Sequence, residues 1–258
     1  MNKTDLVNSI NQQQLFTLLI APADVSWLSF ETALQSNWIP NMMASFAQSY
    51  SGLDQRGQGA FFISKFSYLL ASMLAHFDLQ SGKIPTVTSK SLWIKSQTEP
   101  VTLLLENLTL DEATNGNLRA TIIAFFEPFI TPVYHYSKLS AAAQWRLIAD
   151  SIAAAWLLVG RELNCEVMAK EKAMAILQQE KSPLTNRQTH YADVNIWHPE
   201  PKRQTINVTK TYRLRGGCCR AYTADAHQHC ATCVLLTKDQ QQQRLKRLLT
   251  NELTQTYT

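Results

Sequence analysis

The sequence predicts an α+β fold, mainly helical with a small antiparallel sheet, closed by a C-terminal segment of different character. Three observations predict it. Apolar residues recur at 3.6-residue spacing in two long stripes, over 62–77 and 145–163. Between them, 83–106 breaks into short β-prone pieces. From Glu200 onward, charge and cysteine content shift together: ten Lys/Arg stand against four Asp/Glu, so the tail carries +6, and four of the five cysteines lie there.

The first stripe (Phe62, Phe66, Leu69, Leu70, Met73, Phe77) is one face of an amphipathic helix, ended by Asp78 to Gly82. Before it, 28–50 reads as helical and as bent or divided at Pro40, because proline removes a ladder donor. In 83–106, Val87 and the runs 91–96 and 101–105 are β-prone, and Thr98-Glu99-Pro100 between the two runs predicts a hairpin. By composition 111–116 is a loop. Helical patterning then returns and peaks in the second stripe (Trp145, Ile148, Ile152, Trp156, Val159, Leu163), and a further helix runs from Cys165 to about Gln179. The stretch 184–204 has little periodicity and contains Pro199 and Pro201, which predicts a linker or long loop. Next comes the cleanest strand: Ile206, Val208, Tyr212 and Leu214 alternate with polar residues, with Lys210 alone misplaced on the apolar side. Leu235, Leu236, Leu245, Leu248, Leu249 and Leu253 suggest a closing helix, with Gln240 to Gln243 on its solvated face. The division expected is a body over 1–183 and a segment over 184–258, as two units or one continuous domain.

Composition excludes several classes. A chain of 258 residues, 45% hydrophobic and 17% charged, has the material for a packed core and is not disordered or disulfide-dense. A net charge of +4 is too small to argue for a nucleic-acid partner. No stretch reaches the roughly 18 uninterrupted apolar residues of a membrane span; 15–30 is broken by Pro22 and Asp24, and 120–136 by Glu127, Pro128 and Pro132. The polar run from Asn8 to Gln14 makes a poor signal peptide, so no transmembrane segment and a cytoplasmic location are expected.

The strand runs into Arg213-Leu-Arg215-Gly216-Gly217-Cys218-Cys219, followed after ten residues by Cys230-Ala-Thr-Cys233. Four thiolates from one short segment are enough to hold a zinc ion or an iron–sulfur cluster. Zinc sites usually offer two C-x-x-C pairs, and only Cys230/Cys233 has that form. Adjacent cysteines point apart in an extended chain, and a binuclear cluster can accept sulfurs from different directions. Spacing thus favours iron–sulfur and leaves zinc open. Gly216 and Gly217 would supply positive-φ freedom for a sharp turn. Cys165, among helical residues, reads as a structural thiol.

The Cys-Cys-x10-Cys-x2-Cys pattern, with Cys218, Cys219, Cys230 and Cys233 in all four positions after a basic strand end, resembles that of the FhuF-like ferric siderophore reductases. The resemblance implies a [2Fe–2S] cluster on those four cysteines. It further implies a cytoplasmic enzyme that reduces Fe(III) in an imported siderophore of the hydroxamate class. The long Gln-rich basic tail after Cys233 departs from the family. Arg213, Arg215, Arg220 and Lys238 would surround the cluster with positive charge and receive the chelate. His227 and His229, flanking Cys230, are candidates for proton uptake linked to electron uptake. Trp197 and Tyr222 could equally line a substrate surface or pack.

Gly57-Gln58-Gly59 lacks the third glycine of a dinucleotide fingerprint, and no phosphate-binding loop is present. Electrons are therefore expected from outside, from a ferredoxin or a small cytosolic reductant. Two rival readings are a zinc-stabilised binding module and an iron–sulfur redox sensor.

Overall fold

The computed structural model describes residues 3–12, 16–95, 101–199 and 205–256. The first stripe forms a long central helix, α4, and the N-terminal elements lead up to it. They are α1 (Lys3–Asn11), β1 (Thr17–Ile20), β2 (Leu28–Ser29), α2 (Phe30–Gln35) and α3 (Trp38–Ser49). The stretch 28–50 is divided, but not at Pro40. The break falls at Ser36 and Asn37, and Pro40 occupies the first turn of α3, where a backbone N–H has no intrahelical partner to lose.

Helix α4 (Gln55–Ser81) starts where the Asp54 carboxylate accepts from the Gly57 N–H at 2.7 Å, and it ends at Gly82 with φ 66°. Its most apolar 18-residue window has the length and composition to cross a membrane, a stretch the residue count alone passes over. That window is 78% buried inside the protein, as the core helix of a packed fold. Beside it run α5 (Asn115–Ser137), α6 (Ala141–Glu162) and α7 (Glu166–Leu177). Phe30 anchors the aromatic core, meeting Trp38, Phe66, Phe125 and Phe129 at ring distances of 5.1–6.0 Å.

The β-prone pieces assemble as strands β3 (Lys83–Pro85), β4 (Leu92–Lys95), β5 (Thr102–Leu105) and β6 (Leu110–Glu112). β4 and β5 pair antiparallel as the hairpin pattern predicts; its turn at 98–100 lies outside the described residues. They sit in a four-stranded sheet of order β1-β5-β4-β2, in which β1 runs parallel to β5. β3 and β6 pair separately, so Asp111 and Glu112 are strand rather than loop, and Asn115 already opens α5.

The largest departure lies in 184–204. β7 (His190–Pro199) pairs antiparallel with β8 (Thr205–Leu214) along a ten-residue ribbon. β7 escapes sequence reading because, among its described side chains, only Val194 is buried, while Trp197 stays 71% exposed. Its order comes from the β8 ladder. The ribbon packs against α8 (Lys238–Thr256) through Val194, Tyr212, Leu245 and Leu249, a small core beside the main one. Leu235 and Leu236 precede that helix. Lys210, the misfit of the strand pattern, donates to Glu252 of α8 at 2.7 Å. The ribbon is also tied to the helical body, since the Tyr191 hydroxyl donates to the Ala153 carbonyl of α6 at 2.7 Å.

Candidate functional site

β8 delivers the cysteine segment onto the N-terminal halves of α4 and α6. The anchor on α6 is Asp150, 1% exposed. Its carboxylate accepts from the Gly216 N–H at 2.8 Å, the Gly217 N–H at 3.0 Å and the Thr189 hydroxyl at 2.7 Å. Arg215 Nε stands 3.6 Å and Arg213 Nη1 4.0 Å from Oδ2. Neither glycine has a positive φ, so the expected left-handed turn is absent. Both serve close approach instead. A Cβ on Gly216 would overlap the Asn186 side-chain amide, and one on Gly217 would lie 3.1 Å from the backbone N of Leu147. The positive φ values of the segment belong to Arg220, 59°, and Ala226, 60°.

The second anchor is at the start of α4. Arg220 Nε donates to both Asp54 carboxylate oxygens at 2.9 and 3.0 Å, and Arg220 Nη2 bonds Oδ2. The Arg220 hydrogen bond holds the Asp54 carboxyl below its ordinary range. A short 3-10 turn (Ala221–Thr223) follows, and Asp225 then meets Ser51 through a backbone bond of 2.6 Å and a side-chain bond of 2.6 Å. The chain turns back at Cys230 to Cys233, where the Cys233 N–H donates to the Cys230 carbonyl at 3.0 Å.

The loop so pinned brings the four predicted thiols together. Cys219 and Cys230, and Cys230 and Cys233, are near enough to shift each other's ionisation, and Cys218 acts electrostatically on Cys233. The Cys219 thiol is pushed up, first by its pairing with Cys230 and then by burial. The same pairing pulls Cys230 down to about 6, against burial and with help from Arg215. Burial raises Cys233. All five cysteines are free; Cys165, half-buried at the start of α7, has its thiol raised by burial.

Among the described residues, no group of three or more His, Cys, Asp or Glu side chains is arranged to hold a metal ion. The four thiols are thus near one another without being arranged as a ligand set. Charge is the second test of fit. Two guanidiniums, Arg213 and Arg215, face the single Asp150 carboxylate. Arg215 Nη1 points at Cys230 Sγ from 4.0 Å, while its Nε is buried without a hydrogen-bond partner. Burial alone would lower the Arg215 pKa. Cys219, Asp150 and Cys230 outweigh it and raise the value, whereas Arg213 is lowered by burial and by Arg215. An anionic four-thiolate group fits this surplus of positive charge.

The remaining candidates separate. Arg213, Arg215 and Arg220 reach the segment. Lys238 opens α8 exposed, and it lines neither of the two cavities that flank the segment. His229 stacks on Tyr222 at 4.6 Å and 17°, and His227 tilts against Tyr50 at 5.6 Å, so both imidazoles rest on aromatic rings. Asp150, Asp54, Asn186 and Thr189 were not singled out by sequence. Asp150 had one signal, an acid in the middle of a mostly apolar helix.

The sequence matches no protein-family model and no curated protein. A functional reading therefore rests on the residues themselves.

Proposed function

We propose that the protein is an iron–sulfur oxidoreductase that reduces Fe(III) held in a siderophore, with Cys218, Cys219, Cys230 and Cys233 as ligands of a [2Fe–2S] cluster. One observation carries the reading. Four thiols from the two ends of one loop lie within electrostatic reach of one another, Arg215 Nη1 stands 4.0 Å from Cys230 Sγ, and Cys218 borders a cavity of about 480 Å³ open to solvent. When bound, the cluster would supply single electrons, which convert tightly chelated Fe(III) into weakly chelated Fe(II).

The chain's own residues have distinct parts. Arg215 places positive charge at the Cys230 sulfur, which favours the more negative, reduced state of whatever the sulfurs hold. Asp150 holds Gly216 and Gly217, Asp54 holds Arg220 and Ser51 holds Asp225, so that the thiols are positioned by the helical body. The cavity beside Cys218 admits the chelate. The electron enters from a ferredoxin or a small reductant, and a reducing cytoplasm keeps the five thiols free.

Colour and turnover test the reading. The purified protein should be brown, with charge-transfer absorption that Cys→Ala at any of the four positions abolishes or grossly alters and Cys165→Ala leaves intact. Pre-reduced protein should release Fe(II) from a ferric chelate, trapped by a colorimetric chelator. A colourless protein with stoichiometric zinc would replace the proposal with the zinc-stabilised module. A cluster that never turns over a chelate would make it a sensor.

A further inference from the structure

Two cavities flank the cysteine segment, and their charge differs in kind. The one lined by Lys65, Tyr68, Arg213 and Arg215 has both arginines already committed: Arg213 and Arg215 lie at Asp150, and Arg215 also reaches Cys230. The other, about 480 Å³, is bordered by Arg56, Lys138, Arg146 and Arg220, with Gly216, Gly217 and Cys218 as its floor. No aspartate or glutamate lines it. Of its four cations only Arg220 has a carboxylate, that of Asp54. Lys138 donates to the His135 carbonyl at 3.0 Å, a neutral partner. Among the described residues, Arg56 and Arg146 are exposed and have no carboxylate within ion-pairing distance.

Backbone adds to this field. Arg56 belongs to the first turn of α4, and Ser140 and Ala143 on the cavity wall belong to the start of α6. Both helices thus start at this space: α6, capped by the neutral Ser140 hydroxyl, presents the positive pole of its dipole, whereas the Asp54 carboxylate caps α4. Leu139, Val234 and Leu235 supply an apolar side, and Leu235 is 55% exposed. Arg56, Lys138 and Arg146 outside ion-pairing contact with any carboxylate, the α6 N-terminus, and a lining without Asp or Glu among the described residues make a site for a polyanion with apolar edges.

We infer that this cavity selects ferric chelates of net negative charge, built from catecholate or carboxylate donors, over neutral tris-hydroxamates. The inference rests on the reductase reading for the iron, and on the cavity alone for the charge. Three hydroxamates, each singly negative, cancel the three charges of Fe(III), so such a complex gains nothing from Arg56 or Arg146. Three catecholates, each doubly negative, leave three negative charges over and present aromatic edges to Leu139 and Leu235. The hydroxamate class implied by the motif is then not the class this cavity favours.

Gallium(III) complexes test this without any electron transfer. The full-length protein, with its visible spectrum recorded in the same sample, is titrated calorimetrically with a Ga(III) tris-catecholate and with a neutral Ga(III) tris-hydroxamate. The anionic complex should bind at least about tenfold more tightly at low salt, and the gap should shrink as salt screens exposed charge. Arg56→Ala/Arg146→Ala should cost about tenfold or more for the anionic complex only, Arg146→Lys should restore part of it, and Lys90→Ala, on a distant surface, should change nothing. Equal affinity for the two complexes, or an unchanged double variant, overturns the inference, even in a protein that carries its cluster. Charge-selective binding to a protein without iron–sulfur absorption would keep the polyanion site and remove the reductase reading.

Discussion

Asp150 is the most informative single position in the protein. Its carboxylate holds the Gly216 and Gly217 amides and the Thr189 hydroxyl while facing two guanidiniums, all from a side chain 1% exposed. Truncation to Ala leaves two buried backbone donors unpaired, at about 1–3 kcal/mol each if nothing replaces them. It also strips Arg213 and Arg215 of their counter-charge, and breaking a buried ion pair from one side costs about 3–5 kcal/mol. One carboxylate serves all these bonds, so the costs overlap rather than add. A loss of about 4 kcal/mol is expected, a large share of the roughly 5–15 kcal/mol that holds a typical domain.

An asparagine at this position separates charge from shape. Its amide oxygen would keep one acceptor for a glycine N–H, but its NH2 would face donors, and the guanidiniums would stay uncompensated. Asp150→Asn should therefore cost nearly as much as Asp150→Ala. Urea unfolding with a fixed m-value gives both numbers. Hydrogen exchange at the Gly216 and Gly217 amides shows whether the loss is centred on the cysteine segment. An Asp150→Asn variant within about 0.5 kcal/mol of the parent, with both amides still protected, would refute the electrostatic account; surface-like effects have that size.

Three further outcomes follow from named contacts. Gly216→Ala should destabilise by about 1–3 kcal/mol through the clash with the Asn186 amide, and Asn186→Ala should recover part of that loss; if the second change recovers nothing, close approach is not why glycine stands there. Phe30→Ala, which removes a ring shared by four aromatic neighbours, should cost about 3–5 kcal/mol in the same assay, and a loss below about 1 would mean that the core refills. His76, 2% exposed, has its pKa lowered by burial to about 4, so between pH 6.5 and 4 the unfolded chain binds a proton that the folded chain does not. That contribution is complete above pH 6.5 and lost as pH falls, on the order of 3 kcal/mol, and His76→Gln should flatten the slope in that window.

The helical body was legible because burial itself writes the 3.6-residue stripe; α4 and α6 are buried along most of their lengths and carry the two clearest stripes. Strand β7 was not, since a ribbon held by ladder bonds and one buried valine leaves almost no alternation to read. Pro40 misled for a positional reason: a proline in a first turn starts a helix as readily as a mid-helix one breaks it. In the site, the cysteines announced themselves by spacing. Their anchors did not, because Asp150 lies 66 residues from Gly216 and Asp54 lies 166 from Arg220. The N-cap role of Asp54 is local and readable, whereas its salt bridge is a product of the tertiary fold.

The same fold sorts the positive charge around the sulfurs into two kinds. Arg213 and Arg215 are mostly buried and share the single Asp150 carboxylate, so the positive charge they leave over acts first on the sulfurs beside them. Arg56 and Arg146 are exposed and, among the described residues, have no carboxylate within ion-pairing distance, so their charge is available to something mobile. Salt distinguishes the two, because a Debye length of about 8–10 Å near physiological ionic strength screens exposed charge and reaches buried charge far less. Properties set at the sulfurs, such as the spectrum and the potential, should then be nearly independent of ionic strength, while chelate affinity falls steeply with it. A protein in which both moved together would have its sulfurs and its cavity in one solvent-filled space. Of the four thiols only Cys218 lines that cavity; Cys219, Cys230, Cys233 and the arginine pair do not, and the bonds from Asp150 to Gly216 and Gly217 hold the floor between them on α6.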